Sequence, residues 1–513
     1  MMNTLLLVTV FLPLFASGLL WFAPKKSKWI HGYGAGVSVV IAALSVVLFW
    51  KFESGNPDFQ FVTDMDWISS FGIRFSMGMD GLSLVLFVLT SLLTFSAMLC
   101  KPDRAQGQIK KYVASLLVLE SMILGTFAAM DAFLFYVFWE AMLLPMFLLI
   151  GIFGGANRIY ATMKFFLYTF FGSIFMLIGM ISLYLLYAKQ FGHYSTSIAD
   201  LYQVVTPLKI QLWLCLSFLL AFAVKVPIFP FHTWLPDAHV EAPTAGSVVL
   251  AGVLLKMGTY GMLRFVLPLF PMAATVFAPW ICGLALIGIV YGAFLAWGQS
   301  DMKKIIAYSS VSHMGFIVLG IFSLTHTGIS GAVFQMLAHG ITTGALFLLI
   351  GYIYSQRHTR VIGEYGGIAK VVPKYSAVFF LVLLGSIGLP GLCGFVGEFL
   401  IFIGGVASQA FTGWKYVSVA VLGVVLGAGY MLKLYEKVFL GSLDHEENKT
   451  LQDLNLRAYV ALFLPVVFVF VLGLFPNLVF EKIESSVSRL GEKVSHYKVV
   501  RSASLFVDQG EVQ

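Results

Sequence analysis

Charged residues are scarce in this chain. Asp, Glu, Lys and Arg make up 11% of its 513 residues, whereas 59% are hydrophobic, and the mean hydropathy is +0.90. A soluble domain carries about 25% charged residues, so the composition excludes a soluble globular protein. Many apolar runs reach the roughly 20 residues that a membrane-spanning helix requires. We therefore predict an all-α polytopic membrane protein.

Cysteine is equally sparse, and the common cofactor motifs are missing. The four cysteines lie in or at the end of apolar runs and form no Cys-x-x-Cys pair, which argues against a disulfide framework, an iron–sulfur cluster or a zinc site. There is no Rossmann glycine pattern in a strand–helix context and no Walker lysine motif. The net charge of +7 is not concentrated on one helix or loop. We therefore expect no cofactor, no metal, no nucleotide and no nucleic-acid partner.

The apolar runs predict about fourteen transmembrane helices. The first run has no basic residue before it and is long for a signal peptide, so we interpret it as a retained first helix. The connection at 51–78 is expected to form a short hairpin on the outer face, and the tail from Glu481 a loose or surface-lying helix. The predicted spans are 4–23, 30–50, 79–100, 112–130, 132–153, 162–187, 208–230, 244–267, 274–298, 303–323, 328–353, 375–403, 414–440 and 457–480.

Lysine and arginine are divided unevenly between the two sets of connections. Nineteen fall on one side of the membrane and six, including Arg264, on the other, or eleven when the five of the tail are added. Cytoplasmic connections carry an excess of these residues, so both termini are predicted to lie on the non-cytoplasmic side. A wrong number of spans would scramble this asymmetry, which therefore also supports fourteen.

Two predicted helices combine a charge with a proline break. The seventh has Lys225 before Pro227 and Pro230, and the twelfth has Pro390 before Glu398. Paired broken helices at corresponding positions of two halves indicate a transport site. They lie five helices apart, which predicts two inverted five-helix repeats (helices 4–8 and 9–13). The predicted parts are 1–111 with helices 1–3 and the outer-face loop, 112–267 and 274–440 as the repeats, and 441–513 with helix 14 and the tail.

Glu140 and Lys225 are the first pair of charges predicted to lie inside the membrane. A buried carboxylate and a buried lysine stabilise each other's charged form, so the two are natural partners. When the acid moves away, the lysine tends to release its proton. The pair therefore resembles a proton switch, and the alternative is a static buried ion pair.

Further titratable groups continue along the later helices. Lys256 is flanked by mostly apolar residues on both sides, and His313 and His339 lie in adjacent spans. Histidine titrates near neutral pH, so Lys256 and the histidines can form a relay that ends at Glu398. The alternatives are packing histidines and a Glu398 paired with Lys433 or Lys437. Accessory polar residues are Ser309 and Ser312 in the same seam, and Glu120, His232, Asp237 and His239 near predicted helix ends, where they can line an entrance.

At these residues the chain resembles a known family, the antiporter-like proton channels of respiratory complex I. The resemblance rests on Phe138-Trp-Glu140, Ala223-Val-Lys-Val-Pro227, His232-Thr-Trp-Leu-Pro-Asp-Ala-His239, Leu255-Lys-Met-Gly258 and Tyr308-Ser-Ser-Val-Ser-His-Met-Gly315. Within that family the chain is similar to the subunit M family, the counterpart of mitochondrial subunit four. At the position of Glu398, the sister subunits and many Mrp chains, which are otherwise similar there, carry lysine. The tail after helix 14 is also short.

The resemblance implies a proton-translocating subunit with no catalytic chemistry of its own. Glu140 would modulate Lys225, Lys256 and the histidines would carry protons, and Glu398 would release them. NADH, FMN and iron–sulfur clusters would be bound by other subunits. Partners would be other membrane-arm subunits, including sister antiporter-like chains, and lipids of the bacterial inner membrane. Alternatives are an Mrp-type sodium/proton antiporter subunit, the membrane arm of a related hydrogenase or ferredoxin-driven complex, and a static membrane anchor.

Overall fold

A computed structural model of the chain describes the backbone of residues 2–24, 29–100 and 107–508, and the side chains of those residues as far as Lys493. Five basic residues that entered the charge count lie outside the described residues, namely Lys25, Lys26, Lys28, Lys101 and Arg104. The orientation that the count predicts stays a prediction.

The first half of the chain is helical apart from one hairpin. Its helices are α1 (Met2–Leu19), α2 (Ile30–Lys51), α3 (Gly81–Met98), α4 (Ile109–Ala128), α5 (Ala132–Ala141), α6 (Leu143–Phe153), α7 (Arg158–Phe191), α8 (Ile198–Leu201), α9 (Leu208–Lys225), α10 (Trp234–Glu241), α11 (Thr244–Val249), α12 (Leu255–Gly261) and α13 (Leu267–Leu269). Two π-helical turns, Leu250–Leu254 and Met262–Val266, join α11, α12 and α13 into one continuous helical stretch.

The second half contains the longer helices. They are α14 (Pro271–Trp297), α15 (Met302–Phe322), α16 (His326–Arg357), α17 (Pro373–Ser386), α18 (Cys393–Val406), α19 (Gly413–Phe439), α20 (Leu456–Leu474) and α21 (Asn477–Asp508). The helix expected in the tail is therefore present as α21, and it begins slightly before Glu481.

The helical, polytopic architecture predicted from composition is confirmed. Among the described residues, thirteen helical stretches are long and apolar enough to cross a membrane, counting α5 with α6 and α11 through α13 as single stretches. The shorter apolar helices α17 and α18 occupy the stretch predicted as the twelfth span. Counting them together gives the fourteen spans expected. The division into inverted repeats stays a prediction.

The hairpin expected at 51–78 is formed by strands β1 (Gln60–Ile68) and β2 (Ile73–Met79), which pair antiparallel. Asp131, at the N-cap of α5, ties neighbouring segments together. Its carboxylate accepts a hydrogen bond of 2.5 Å from the hydroxyl of Thr196 and one from the backbone N–H of Arg74. Burial raises the pKa of Asp131. The two donors stabilise the charged carboxylate and so offset part of the cost of burying it.

Burial differs strongly among the helices. The stretch from α11 to α13 and helix α16 are enclosed by other helices, whereas most residues of α1, α2 and α20 are at least partly exposed. A polar side chain on an enclosed helix has no access to bulk water and must find its partners inside the protein. The protonation state of the titratable residues on α12 and α16 therefore depends on their contacts inside the protein.

Candidate functional site

The first helix break follows Lys225 directly. Helix α9 ends at this residue, and 226–233 form turns before α10 begins. Pro227 and Pro230 lie in this interruption, as the sequence predicted. The indole N–H of Trp234 donates 2.8 Å to the carbonyl oxygen of Val224, which satisfies one of the groups left free at the helix end. The break is therefore built into the fold by named contacts.

The Lys225 ammonium is surrounded by soft and aromatic groups. The side chain is 1% exposed. Its Nζ lies 3.8 Å from Sδ of Met142 and 4.7 Å from the centroid of the Trp139 ring. Such a cation–π contact partly compensates for lost hydration. Lys225 is thus held by α5 and by the residue that follows α5.

Glu140 interacts electrostatically with Lys225 but does not form a contact ion pair with it. The Glu140 carboxylate faces Ser173 on α7, and its Oε1 is buried without a hydrogen-bond partner. The partnership predicted between the two residues is therefore an electrostatic interaction at longer range than a contact. Because a Coulomb interaction persists over several ångströms in a low-dielectric interior, the two charges still influence each other.

Lys256 lies on α12, between the two π-helical turns. It is 0% exposed. Its ammonium donates to the carbonyl oxygen of Ala251, in the first π turn, and lies 2.7 Å from Nδ1 of His339 on α16. π-helical turns are rare and occur often at functional sites. Here one of them supplies a carbonyl partner for a buried ammonium.

The two predicted relay histidines are neighbours, and Glu398 is beside them. The rings of His339 and His313 have centroids 5.5 Å apart. Nδ1 of His313 lies 3.3 Å from Oε1 of Glu398, which also accepts a 3.1 Å hydrogen bond from the amide of Gln335. Lys256, His339, His313 and Glu398 therefore form one buried row of titratable groups, which we call the central row.

Glu398 does not pair with the lysines of α19 that were the alternative partners. Lys433 instead lies over the ring of Trp297, 5.0 Å from its centroid. The Glu398 carboxylate rests against the second helix break, because a Cβ on Gly388 would come within 2.7 Å of Oε2. This break spans 387–392, between α17 and α18, and contains Pro390 as predicted.

Two residues that were expected near an entrance are in the interior. Glu120 on α4 is 0% exposed, and both of its carboxylate oxygens are buried without a hydrogen-bond partner. His239 on α10 is fully buried as well, with its ring stacked on that of Phe347 at 4.7 Å. Sequence reasoning misplaced both residues: Glu120 lies near the middle of α4 rather than at its end, and His239, although it follows an apolar run, is enclosed by other helices.

Asp237 is partly exposed, whereas His232 is buried. The Asp237 carboxylate is 2.7 Å from the ammonium of Lys164 and is partly exposed. The ring of His232 stacks on Phe229 and meets Tyr291 edge-on. These two residues are not part of the central row, and the entrance role expected for them stays a prediction.

The serines of the predicted polar seam bond to the main chain. The hydroxyl of Ser309 donates 2.8 Å to the carbonyl oxygen of Ile306, and that of Ser312 donates 2.9 Å to the carbonyl oxygen of Ile289. In this geometry neither serine links the two histidines. The central row is therefore made by the larger titratable side chains.

Sequence reasoning missed a buried ion pair. Arg264, which was counted among the charges of a connection, lies in the second π turn, and its Nη2 is 2.6 Å from Oδ1 of Asp80. Each side chain is 7% exposed. Two signals were available: Asp80 directly precedes an apolar run, which is typical of a helix N-cap, and Arg264 lies eight residues after Lys256. Gln335 had no comparable signal.

Comparison with known proteins places this geometry in a family. Residues 129–423 match the model described as NADH:quinone oxidoreductase/Mrp antiporter, TM. The NADH-quinone oxidoreductase subunit M of Rickettsia bellii is 42% identical over 489 residues, covering 94% of this chain and 97% of that protein. The matched segment contains both breaks and the whole central row.

Two solved structures have the same fold. A chain of respiratory complex I from Thermus thermophilus superposes with a TM-score of 0.85 at 30% identity, covering 95% of this chain and 99% of that one. A chain of the Mrp complex from Dietzia gives a TM-score of 0.83 at 22% identity, covering 97% and 99%, and at that identity it supports the fold alone. The protein therefore belongs to the antiporter-like membrane subunits of NADH:quinone oxidoreductase, within the subunit M family.

Proposed function

We propose that this chain translocates protons in the membrane arm of a complex I, driven by NADH:quinone electron transfer in other subunits. It would associate with other membrane-arm subunits, including sister antiporter-like chains, and with lipids. It would bind no NADH, FMN or iron–sulfur cluster, so its contribution to the enzyme would be non-redox. The relatives named NADH-quinone oxidoreductase subunit M support this assignment over an independent antiporter.

The proposal rests on the way in which each side chain of the central row lies next to the following one. Lys256 touches His339, whose ring neighbours that of His313, which in turn lies against Glu398. All four are buried, and a bilayer interior tolerates such groups mainly where they serve a pathway. A proton leaving the Lys256 ammonium can pass to His339 and His313, with Glu398 as its last site.

Lys225 and Glu140 would control entry to this row. Since the Lys225 ammonium lacks a contact carboxylate, the distance to Glu140 sets how strongly the charge on Lys225 is favoured. The helix ends at Lys225, so a shift in α9 or α5 changes that distance without unwinding a helix. Moving one charge across 100 mV requires about 2.3 kcal/mol, which is comparable with pairing or unpairing a buried ion pair.

The same proposal includes the arrangement of the chain in the membrane. Residues 112–267 and 274–440 would be inverted repeats, each with one broken helix, flanked by 1–111 and 441–513. The chain would lie in the bacterial inner membrane with both termini on the non-cytoplasmic side. The uneven distribution of lysine and arginine supports this orientation.

The test is Lys225→Ala in membranes that contain the full complex, with proton pumping and NADH:quinone activity measured and assembly checked by native gel electrophoresis. Lys209→Ala is the matched control, because Lys209 lies at the start of the same helix and is exposed. We expect Lys225→Ala to assemble and lose pumping and coupled turnover, while the control retains both.

An assembled Lys225→Ala complex that pumps like the wild type would show that the residue is structural, and the switch with Glu140 would be abandoned. Sodium transport by a complex without a redox module would instead favour the Mrp-type alternative.

A further inference from the structure

We propose that Arg264 and Asp80 form a positioning pair that holds Lys256 in register with His339. This inference rests on the proposed function. It assigns a role in proton transfer to a buried ion pair that does not touch the central row. The ion pair acts through the helical stretch that carries Lys256.

The backbone around Lys256 departs from a regular α-helix. Helix α12 has only seven residues and is bounded by a π-helical turn on each side. A π turn contains one residue more than an α turn. If one of these turns reverted to α-helix, the residues beyond it would rotate by about 100° and shift by about 1.5 Å. Lys256 would then leave His339, so the turns must be held.

Contacts of Arg264 hold the second π turn in place. The guanidinium of Arg264 donates to Asp80 and, through Nε, to the hydroxyl of Tyr260 at 3.1 Å. The backbone carbonyl of Arg264 accepts a 2.7 Å hydrogen bond from the hydroxyl of Tyr202. The side chain of Arg264 is therefore held by Asp80 and its main chain by Tyr202, and both partners lie outside the stretch from α11 to α13.

The groups that hold Arg264 are themselves fixed to buried helices. Asp80 is the N-cap of α3, where its carboxylate accepts from the backbone N–H and the hydroxyl of Ser83. The hydroxyl of Tyr260 donates 3.2 Å to the carbonyl oxygen of Phe127 at the end of α4. The pair thus connects the second π turn to helices α3 and α4, which are themselves mostly buried.

Lys256, Tyr260 and Arg264 follow each other at intervals of four residues, so they share one face of the stretch. Displacement of Arg264 is transmitted along this face to Lys256. A misplacement of about 1 Å can slow a transfer step by about 100-fold. The ion pair is therefore a positioning device for the contact between Lys256 and His339.

The experiment uses the assembled complex in native membranes and measures the rate of NADH-driven proton pumping, normalised to the amount of complex assembled on native gels. The variants are Arg264→Met, Asp80→Asn and the combination of both. Asn retains the N-cap of α3, and removing both charges avoids leaving one of them buried and unpaired. Arg74→Met is the control, since it removes an ion pair with Asp64 and Asp66 that is exposed on the hairpin.

We expect the double variant to assemble and to pump protons at least about tenfold more slowly per assembled complex, with Arg74→Met unchanged. If the double variant does not assemble, Arg264→Lys, which keeps the charge but loses the planar donor fork, gives the measurement, with a smaller loss expected. A pumping rate per assembled complex at the wild-type level in either variant overturns the proposal.

The result also separates this inference from the proposed function. Collapse of pumping in Lys225→Ala with normal pumping in the double variant rejects the positioning role alone. Normal pumping in assembled Lys225→Ala and Lys256→Ala rejects the relay, and the positioning role with it.

Discussion

The ammonium of Lys256 and Nδ1 of His339 are 2.7 Å apart in the enclosed centre of the protein. A protonated lysine donates in such a contact, so the imidazole accepts at Nδ1 and carries its own proton at Nε2. That Nε2 is buried without a hydrogen-bond partner. The histidine is therefore arranged to take a proton on one side while it holds one to give on the other.

The first prediction concerns His339. His339→Leu removes the acceptor of the Lys256 proton, so we expect proton pumping by the assembled complex to fall by about 100-fold or more, the usual contribution of a positioned acid–base group. The fall in pumping is measured as NADH-driven proton uptake into vesicles.

His193→Leu is the control for this change, because His193 is exposed in the connection after α7. Equal pumping by the two variants would remove His339 from the pathway.

The second prediction concerns the charge of Glu398. Glu398→Gln retains size and a partner for Gln335 but cannot take up a proton, so we expect pumping to fall by about 100-fold. Glu398→Asp retains the carboxyl group at a longer distance from His313 and should lose less. Glu436→Gln on the exposed part of α19 should pump normally. If Glu398→Gln pumps better than Glu398→Asp, the carboxyl group is not a proton site.

The third prediction concerns the contact between α16 and α18. A Cβ on Gly404 would lie 2.3 Å from the backbone N of Gly328. Gly404→Ala must therefore separate the two helices that carry His339 and Glu398, and we expect less assembled complex on native gels and faster loss of the subunit on heating.

Gly283→Ala, on helix α14, is the matched control, since the added Cβ would meet no other atom within 4 Å. Alanine is favoured over glycine in a helix by about 1 kcal/mol, so this variant should be at least as stable as the wild type. Identical behaviour of the two variants would contradict the close packing of α16 on α18.

The fourth prediction is a pH dependence of the C-terminal helix. The Lys493 ammonium lies 3.8 Å from the centroid of the Tyr202 ring, and burial together with the charges of Arg489 and Arg264 lowers the pKa of Lys493 to about 8. Its unfolded pKa is about 10.4. Between these values the undocked helix binds more protons than the docked one, so docking strengthens as the pH rises.

Amide hydrogen exchange of α21, corrected for its intrinsic pH dependence, measures this effect. Protection should increase from about pH 8 to about pH 10 in the wild type. It should be insensitive to pH in Lys493→Met. The same dependence in both proteins would assign the effect to another group.

The sequence determined the membrane class, the spans and the two breaks, because apolar length, proline and isolated charges act through local rules that need no partner. It also supplied the members of the central row, since a buried charge in an apolar run is conspicuous wherever it packs. Tertiary structure alone decided their contacts: Lys256 meets His339 across 83 residues of chain, Lys225 meets Met142 and Trp139 in place of Glu140, and Arg264 is an internal partner of Asp80. Hydropathy gives the depth of a residue but not the direction in which its helix faces, and that direction is fixed by packing between distant helices.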